Sequence, residues 1–177
     1  MREQVKQMEK WSLLLVLSMA VTLSGLYACM VSPVLFLLRD DASLKTLQWT
    51  GVILAYGGLA LEAIADQHKF HTKRRHKIAY GEKRFAGPTG GVYSVCRHPN
   101  YLGEIMFWTG LFLGGMSSFD NSLTPWICGT LGWVSIMSIM LGSTKRLDEK
   151  QLKSYGGQKN FDEWRKRVKA SLIPFFL

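Results

Sequence analysis

The sequence has few cysteines and lacks the patterns that usually bind metals or phosphates. Its three cysteines are too few and too scattered for a disulfide framework, and no C-x-x-C pair occurs. The glycines fit neither a Walker nor a Rossmann pattern. His68, His71 and His76 lie among lysines and arginines, without helical i, i+4 spacing or a nearby acidic cluster. We therefore expect no metal site, and we interpret Cys29 and Cys128, which lie in apolar runs, as small core residues.

Acidic residues are also scarce, with 13 Asp and Glu against 22 Lys and Arg and a net charge of +9. Charge is almost absent from four apolar runs, which are Trp11–Leu38, Leu47–Ala65, Glu104–Met116 and Leu123–Gly142. A helix needs about 20 apolar residues to cross a bilayer. The third run spans a bilayer only if His98–Glu104 begins its helix, or if the helix enters from a protein-lined cavity. The runs predict an all-α fold, a polytopic membrane helical bundle of about four spans.

The cations are distributed unevenly between the segments that connect these runs. Residues 1–10 hold three Lys and Arg, 66–98 hold eight and 143–177 hold nine, whereas 39–46 hold two and 117–122 none. Because cytoplasmic loops carry the excess of Lys and Arg, both termini and the basic loop are predicted to be cytoplasmic. The same topology suits an endoplasmic reticulum membrane in a eukaryote and a bacterial inner membrane.

The C-terminal region is basic and then ends in S-L-I-P-F-F-L, which is unusual for a disordered tail. We expect it to fold back, partly as an amphipathic helix, and to cap the bundle. The chain is interpreted as a single domain overall, with an N-terminal membrane helix and loop over 1–46 and the main membrane domain over 47–177.

Charged side chains form a stripe where the second apolar run ends. Glu62 and Asp66 are four residues apart on one helix face, and Lys69 and Lys73 continue along it. The lysine pair suits a phosphate or nucleotide, with Asp66 orienting the lysines or holding a ribose hydroxyl. A basic juxtamembrane helix attracted to anionic lipid, at about 1 kcal/mol per charge, is the alternative. Glu62, a carboxylate inside an apolar run, is a candidate for lining a site.

Polar residues also crowd the stretch C-R-H-P-N-Y-L-G-E, just before the third apolar run. Pro99 fits the first turn of a helix, which would put Asn100 and Glu104 on one face. That pair could grip a carboxamide or a purine edge by complementary hydrogen bonds. Arg97 adds a rigid donor fork, and His98 can donate, accept or carry charge. A helix cap with polar surface residues is the alternative.

Three segments together carry a family resemblance: A-D-Q-H-K-F-H-T-K, then G-G-V-Y-S-V-C-R-H-P-N-Y-L-G-E, then the terminal I-P-F-F. Over Leu61–Leu177 the chain resembles the steroid 5-alpha-reductase C-terminal domain superfamily, in particular its branch of DUF1295 membrane proteins. The related isoprenylcysteine carboxyl methyltransferases carry R-H-P-x-Y-x-G and then an acidic tail. L-D-E-K-Q-L-K-S-Y-G, with Glu149 and Tyr155, is similar to that tail.

The reductase resemblance implies NADPH bound between membrane helices and a cytoplasmic cap. It implies reduction of a conjugated C=C in a steroid- or lipid-like substrate. The implied cofactor-binding residues are Asp66, Lys69, Lys73, Arg97, His98, Asn100, Tyr101 and Glu104. Asp66, Lys69 and Lys73 would hold the ribose and phosphates, and Asn100, Tyr101 and Glu104 would hold the nicotinamide side. Arg97 and His98 belong to the part of the motif that is shared with the methyltransferases. Glu62 and Tyr101 are the candidates for catalytic groups.

Two other functions stay open at this point. One is an S-adenosylmethionine-dependent methyltransferase of the isoprenylcysteine type, and the other is a non-catalytic membrane protein with the same fold. The many lysines and arginines favour NADPH, which carries more phosphate charge than the cationic sulfonium donor. The expected partners are the lipid bilayer and a hydrophobic, lipid-like substrate, with no nucleic acid.

Overall fold

The computed structural model describes residues 12–39, 46–80, 84–119 and 121–173, with the backbone alone for 77–80. The described residues contain five α-helices, one short 3-10 turn and no strand. In chain order these are α1 (Leu13–Leu37), α2 (Thr46–Tyr80), the 3-10 turn (Gly91–Ser94), α3 (Pro99–Met116), α4 (Leu123–Tyr155) and α5 (Lys159–Arg167). The predicted all-α fold is confirmed.

Among the described residues, three helices are long and apolar enough to cross a membrane: α1, α2 over Thr46–His76, and α4. The fourth predicted span is α3, which has 18 residues and a length of about 27 Å. Because α3 begins at Pro99, the polar motif does open this helix, which is the first of the two conditions on the third apolar run. The structure is therefore a membrane-type helical bundle in which three helices, rather than four, have the length and composition of a span.

Glycines hold α2 and α3 in close contact along their length. A Cβ atom added at Gly58 would lie 2.5 Å from the carbonyl oxygen of Gly103. Closer to the start of α2, a Cβ atom at Gly51 would lie 2.5 Å from the Gly110 oxygen and from the Gly114 nitrogen. The two helices are antiparallel, since early residues of α2 meet late residues of α3. The G-x-x-x-G pair in α3 therefore allows close backbone approach.

Aromatic rings join the helix ends at one end of the bundle. Phe119, which follows α3 and is fully buried, packs edge-on against Phe36 of α1 at 6.1 Å and Trp126 of α4 at 5.1 Å between ring centroids. Pro33 of α1 contacts the backbone position of Gly115 in α3. The end of α1, the end of α3 and the start of α4 thus lie together, as expected for four helices that alternate in direction.

A compact cap covers the opposite end, as predicted for the C-terminal region. Phe161 and Trp164 of α5 are buried in one apolar cluster with Ala65 of α2 and with Phe85 and Tyr93 of the connecting segment. The Trp164 indole N–H donates to the Tyr93 carbonyl at 2.9 Å, which satisfies its polar atom inside the cluster. The apolar end 174–177 lies outside the described residues, and the division at residue 46 stays a prediction.

Candidate functional site

The polar motif before α3 is paired with the C-terminal tail through its backbone. The Arg97 N–H donates to the Ala170 carbonyl and the His98 N–H to the Ser171 carbonyl, both at 3.0 Å. His98 is the N-cap residue of α3, and Pro99 lies in the first turn. A backbone N–H at that position has no acceptor within the helix, so the N–H that proline lacks costs no hydrogen bond. The tail is therefore fixed against the entry of α3.

Asp148 of α4 joins the same motif to the cap. Its Oδ1 accepts a hydrogen bond from Arg97 Nε at 3.2 Å and lies 2.7 Å from His98 Nε2, and its Oδ2 accepts from Arg97 Nη2 at 2.5 Å. Arg97 Nη1 donates to the carbonyls of Val168 at 2.8 Å and Lys169 at 2.5 Å. The guanidinium group is thus surrounded by acceptors from α4 and the tail, in the bidentate geometry that gives strong charge-assisted bonds.

These bonds define what Arg97 and His98 can do at the site. Each nitrogen of the Arg97 guanidinium has an acceptor within the protein, and both side chains are buried. Arg97 and His98 therefore form a fixed wall, held by Asp148, rather than a mobile donor group. Their direct contact with a cofactor stays a prediction.

A small, partly open cavity of about 50 Å³ lies beside this network. Most of its wall comes from the end of α2, from the 85–88 segment, from the start of α3 and from the end of α4. Its lining residues are Lys69, Lys73, Phe85, Ala86, Gly87, Pro88, Tyr93, Arg97, His98, Asn100, Gln151, Tyr155 and Trp164. Five of the eight predicted cofactor-binding residues are in this set.

The other predicted site residues lie apart from the cavity lining. Tyr101 stacks on His98 with ring centroids 5.9 Å apart and packs into the apolar cluster between α1 and α4. Glu62 lies close enough to Asp66 and Glu104 for their charges to interact. Asn100 lines the cavity, whereas Glu104 is outside its described lining, and their action as one pair stays a prediction.

Sequence reasoning missed Asp148 and Gln151, of which Asp148 matters most at this site. Thr144, Asp148, Gln151 and Tyr155 are spaced four, three and four residues apart, so they share one face of α4. That polar stripe follows the charge-free run and was visible in the sequence. Gln151 Oε1 is buried and has no hydrogen-bond partner, so it needs a donor.

Burial controls the protonation of two groups near the cavity. It raises the pKa of Tyr93 well above its usual range, and the negative charge of Asp66 acts in the same direction. The Tyr93 hydroxyl, which donates to the Ala65 carbonyl at 3.3 Å, therefore keeps its proton at neutral pH. Burial also raises the pKa of the Cys96 thiol, which disfavours the thiolate that a nucleophilic cysteine requires.

A larger open cleft lies on the other side of the Phe85–Gly87 segment. Its volume is about 770 Å³, and Phe85, Ala86, Gly87 and Trp164 line both this cleft and the cavity. Arg84, Lys159 and Arg167 are among its lining residues, with Glu163 as the acid among the described ones. The cleft is therefore basic, and only a short segment separates it from the small cavity.

A comparison with known families identifies the chain. A model of the family described as a protein of unknown function, DUF1295, matches residues 1–168. The protein belongs to the DUF1295 family. In this DUF1295 protein the match includes the first two segments that suggested the resemblance, and it adds α1, while the terminal I-P-F-F lies outside it. Asp148 and all of α5 are within the match. Searches of curated proteins and of solved structures found no match.

Proposed function

We propose that this DUF1295 protein is a membrane-embedded, NADPH-dependent reductase of a conjugated C=C in a steroid- or lipid-like substrate. The supporting observation is the convergence of Lys69, Lys73 and Asn100 on one small cavity beside a basic cleft. Asn100 in α3 is 31 positions from Lys69 and 27 positions from Lys73, both in α2. The packing of α2 against α3 therefore brings them together.

The donors and acceptors of the cavity suit the two chemical parts of NADPH. Lys69 and Lys73 would hold phosphate oxygens, which favour charge-assisted bonds. Asn100 and Gln151 would hold the carboxamide, and the buried Gln151 Oε1 would gain the N–H donor that it needs. Asp66 is exposed and is outside the described lining of the cavity, so a ribose contact there requires the ligand to extend out of the cavity.

The size of the cavity sets a condition on binding. A pocket for a small-molecule ligand usually has about 300–1,000 Å³. The cleft is within this range, whereas the cavity is far below it. A dinucleotide would therefore use both, and the Phe85–Gly87 segment between them would move to admit it.

The protein's own residues would orient the reactants and polarise the acceptor. NADPH, when bound, supplies a hydride, and the protein positions it and polarises the acceptor. Tyr93 lines the cavity and keeps its hydroxyl proton at neutral pH, so it would polarise the acceptor as a hydrogen-bond donor in place of its bond to the Ala65 carbonyl. Glu62 and Tyr101 stay the candidates for catalytic groups. Asp148 acts as a positioning residue, since it fixes the wall next to Asn100 through its bonds to the motif.

Cofactor binding to the purified protein in detergent is the first test. Thermal unfolding should be compared with NADPH, NADH and S-adenosylmethionine, because a ligand at 100 times its Kd stabilises by about 2.7 kcal/mol. A rise in Tm with NADPH, followed by oxidation of NADPH with an enone lipid, would support the proposal. Stabilisation by S-adenosylmethionine alone would replace it with methyl transfer. If none of the three binds, the non-catalytic alternative follows.

Loss of either cavity lysine should weaken NADPH binding. We expect Lys69→Gln and Lys73→Gln each to raise the Kd for NADPH about tenfold or more, because each removes a charge-assisted bond to phosphate. Titration of the purified variants would measure this. Arg75→Gln is the matched control, since Arg75 is exposed on the same helix and is outside the described lining of both cavities. Equal losses in all three variants would point to general charge attraction rather than a site.

We also infer that the capped end of the bundle is cytoplasmic. The structure places the basic 84–98 segment, α5 and the tail at this end, and the positive-inside rule then sets the orientation. Single cysteines introduced at Ser94 and Ser122 in a chain without its own cysteines would test this in intact cells. An impermeant maleimide should label position 122 from outside and position 94 only after lysis. The reverse pattern would overturn the orientation.

A further inference from the structure

Cys29 of α1 and Cys128 of α4 meet across a close helix contact. A Cβ atom at Gly132, one turn beyond Cys128, would lie 2.5 Å from the carbonyl carbon of Cys29. The missing side chain lets the two backbones touch there, so the facing thiols come close enough to interact by a side-chain hydrogen bond. Both side chains are partly exposed, which differs from the core positions predicted from the sequence.

The pair lies in the half of the bundle that is remote from the cap. Cys29 is about 12 Å along α1 from its end at Leu37, and Cys128 is about 8 Å along α4 from its start at Leu123. The orientation inferred above makes this the non-cytoplasmic half. Disulfides persist on that side of a membrane, because the cytoplasm keeps thiols reduced. Cys96, by contrast, is buried near the cap.

We propose that Cys29 and Cys128 form a disulfide that joins α1 to α4. Forming the S–S bond breaks two S–H bonds and releases two electrons and two protons. A membrane-soluble oxidant of the quinone class would accept both and become the quinol, which balances the step. Such an oxidant suits a pair within apolar helices, where a charged thiol reagent has poor access. The bond would close a loop that contains α2 and α3, and long loops give the largest stabilisation.

The test uses the full-length protein in its membranes. Membranes would be incubated with a short-chain ubiquinone, quenched in acid and alkylated, and the peptides analysed by mass spectrometry without reduction. We expect a linked peptide that contains Cys29 and Cys128 and disappears after dithiothreitol. We also expect the oxidised protein to unfold at a Tm several degrees above that of the reduced protein, since the disulfide restricts the unfolded chain.

Matched cysteine variants separate this pair from general oxidation. Cys96→Ser should leave the linked peptide unchanged, whereas Cys128→Ser should remove it and leave Cys29 alkylated. Recovery of Cys29 and Cys128 as separate alkylated peptides from oxidised wild-type membranes would overturn the proposal. A linked peptide that contains Cys96 would also overturn it. The wild-type measurement needs no variant to fold, and it does not depend on the proposed catalytic function.

Discussion

Gly58→Ala should destabilise the protein by about 2–3 kcal/mol, although it adds a single methyl group. The new Cβ atom would lie 2.5 Å from the Gly103 oxygen and 2.5 Å from the Phe107 nitrogen, both of which are backbone atoms of α3. A flexible side chain could turn aside, but backbone within a helix cannot, so α2 and α3 would have to separate along their contact. Thermal unfolding in a single detergent, followed by helical circular dichroism, would measure the loss.

The neighbouring glycine provides a matched control. A Cβ atom at Gly57 would meet nothing within 4 Å. Gly57→Ala should therefore leave the Tm unchanged or raise it slightly, because alanine is a better helix former than glycine. If Gly57→Ala and Gly58→Ala behaved alike, the contact between α2 and α3 would not be the one described here.

Removal of the Asp148 carboxylate should have the second large effect. Asp148→Ala leaves the buried Arg97 guanidinium without its anionic partner, and such a loss costs about 3–5 kcal/mol. Because Arg97 also holds the carbonyls of Val168 and Lys169, the tail should detach before the bundle unfolds. Limited trypsin digestion should then cut after Arg167 and Lys169 much faster than in the wild type.

Two further variants separate this network from surface charge. Glu149→Ala removes an exposed carboxylate one residue away and should change the stability by less than about 0.5 kcal/mol. The double variant Arg97→Met, Asp148→Leu replaces the ion pair by apolar groups and should recover part of the loss in Asp148→Ala. Unchanged cleavage of the tail in Asp148→Ala would refute the role of Asp148 in holding it.

The sequence determined where the long helices lie because membrane crossing imposes a length and a composition on each. The charge-free run Trp11–Leu38 became α1, and the run from Leu123 became α4. The extension of a helix beyond its apolar run was less predictable. α4 continues to Tyr155 through charged residues, since backbone hydrogen bonds extend a helix whether or not its side chains are apolar.

In the candidate site, too, helical spacing predicted some residues and the packing of the helices decided the others. Helical periodicity placed Lys69 with Lys73, and both line the cavity. It also put Asn100 and Glu104 on one helix face, but in the structure Asn100 lines the cavity and Glu104 is outside its described lining. A shared helix face shows that two side chains point the same way, and only the neighbouring helix decides what each one contacts.

The sequence by itself therefore determined the all-α membrane-type bundle, the entry of α3 at Pro99 and the lysine pair. The tertiary structure alone decided the partner of Arg97, because Asp148 is 51 positions away in the chain. It also decided the meeting of Cys29 with Cys128, which belong to different apolar runs. Contacts of this kind depend on how helices pack side by side. The glycines that set the distance between two helices have no side chain, so the sequence does not indicate which helices they bring together.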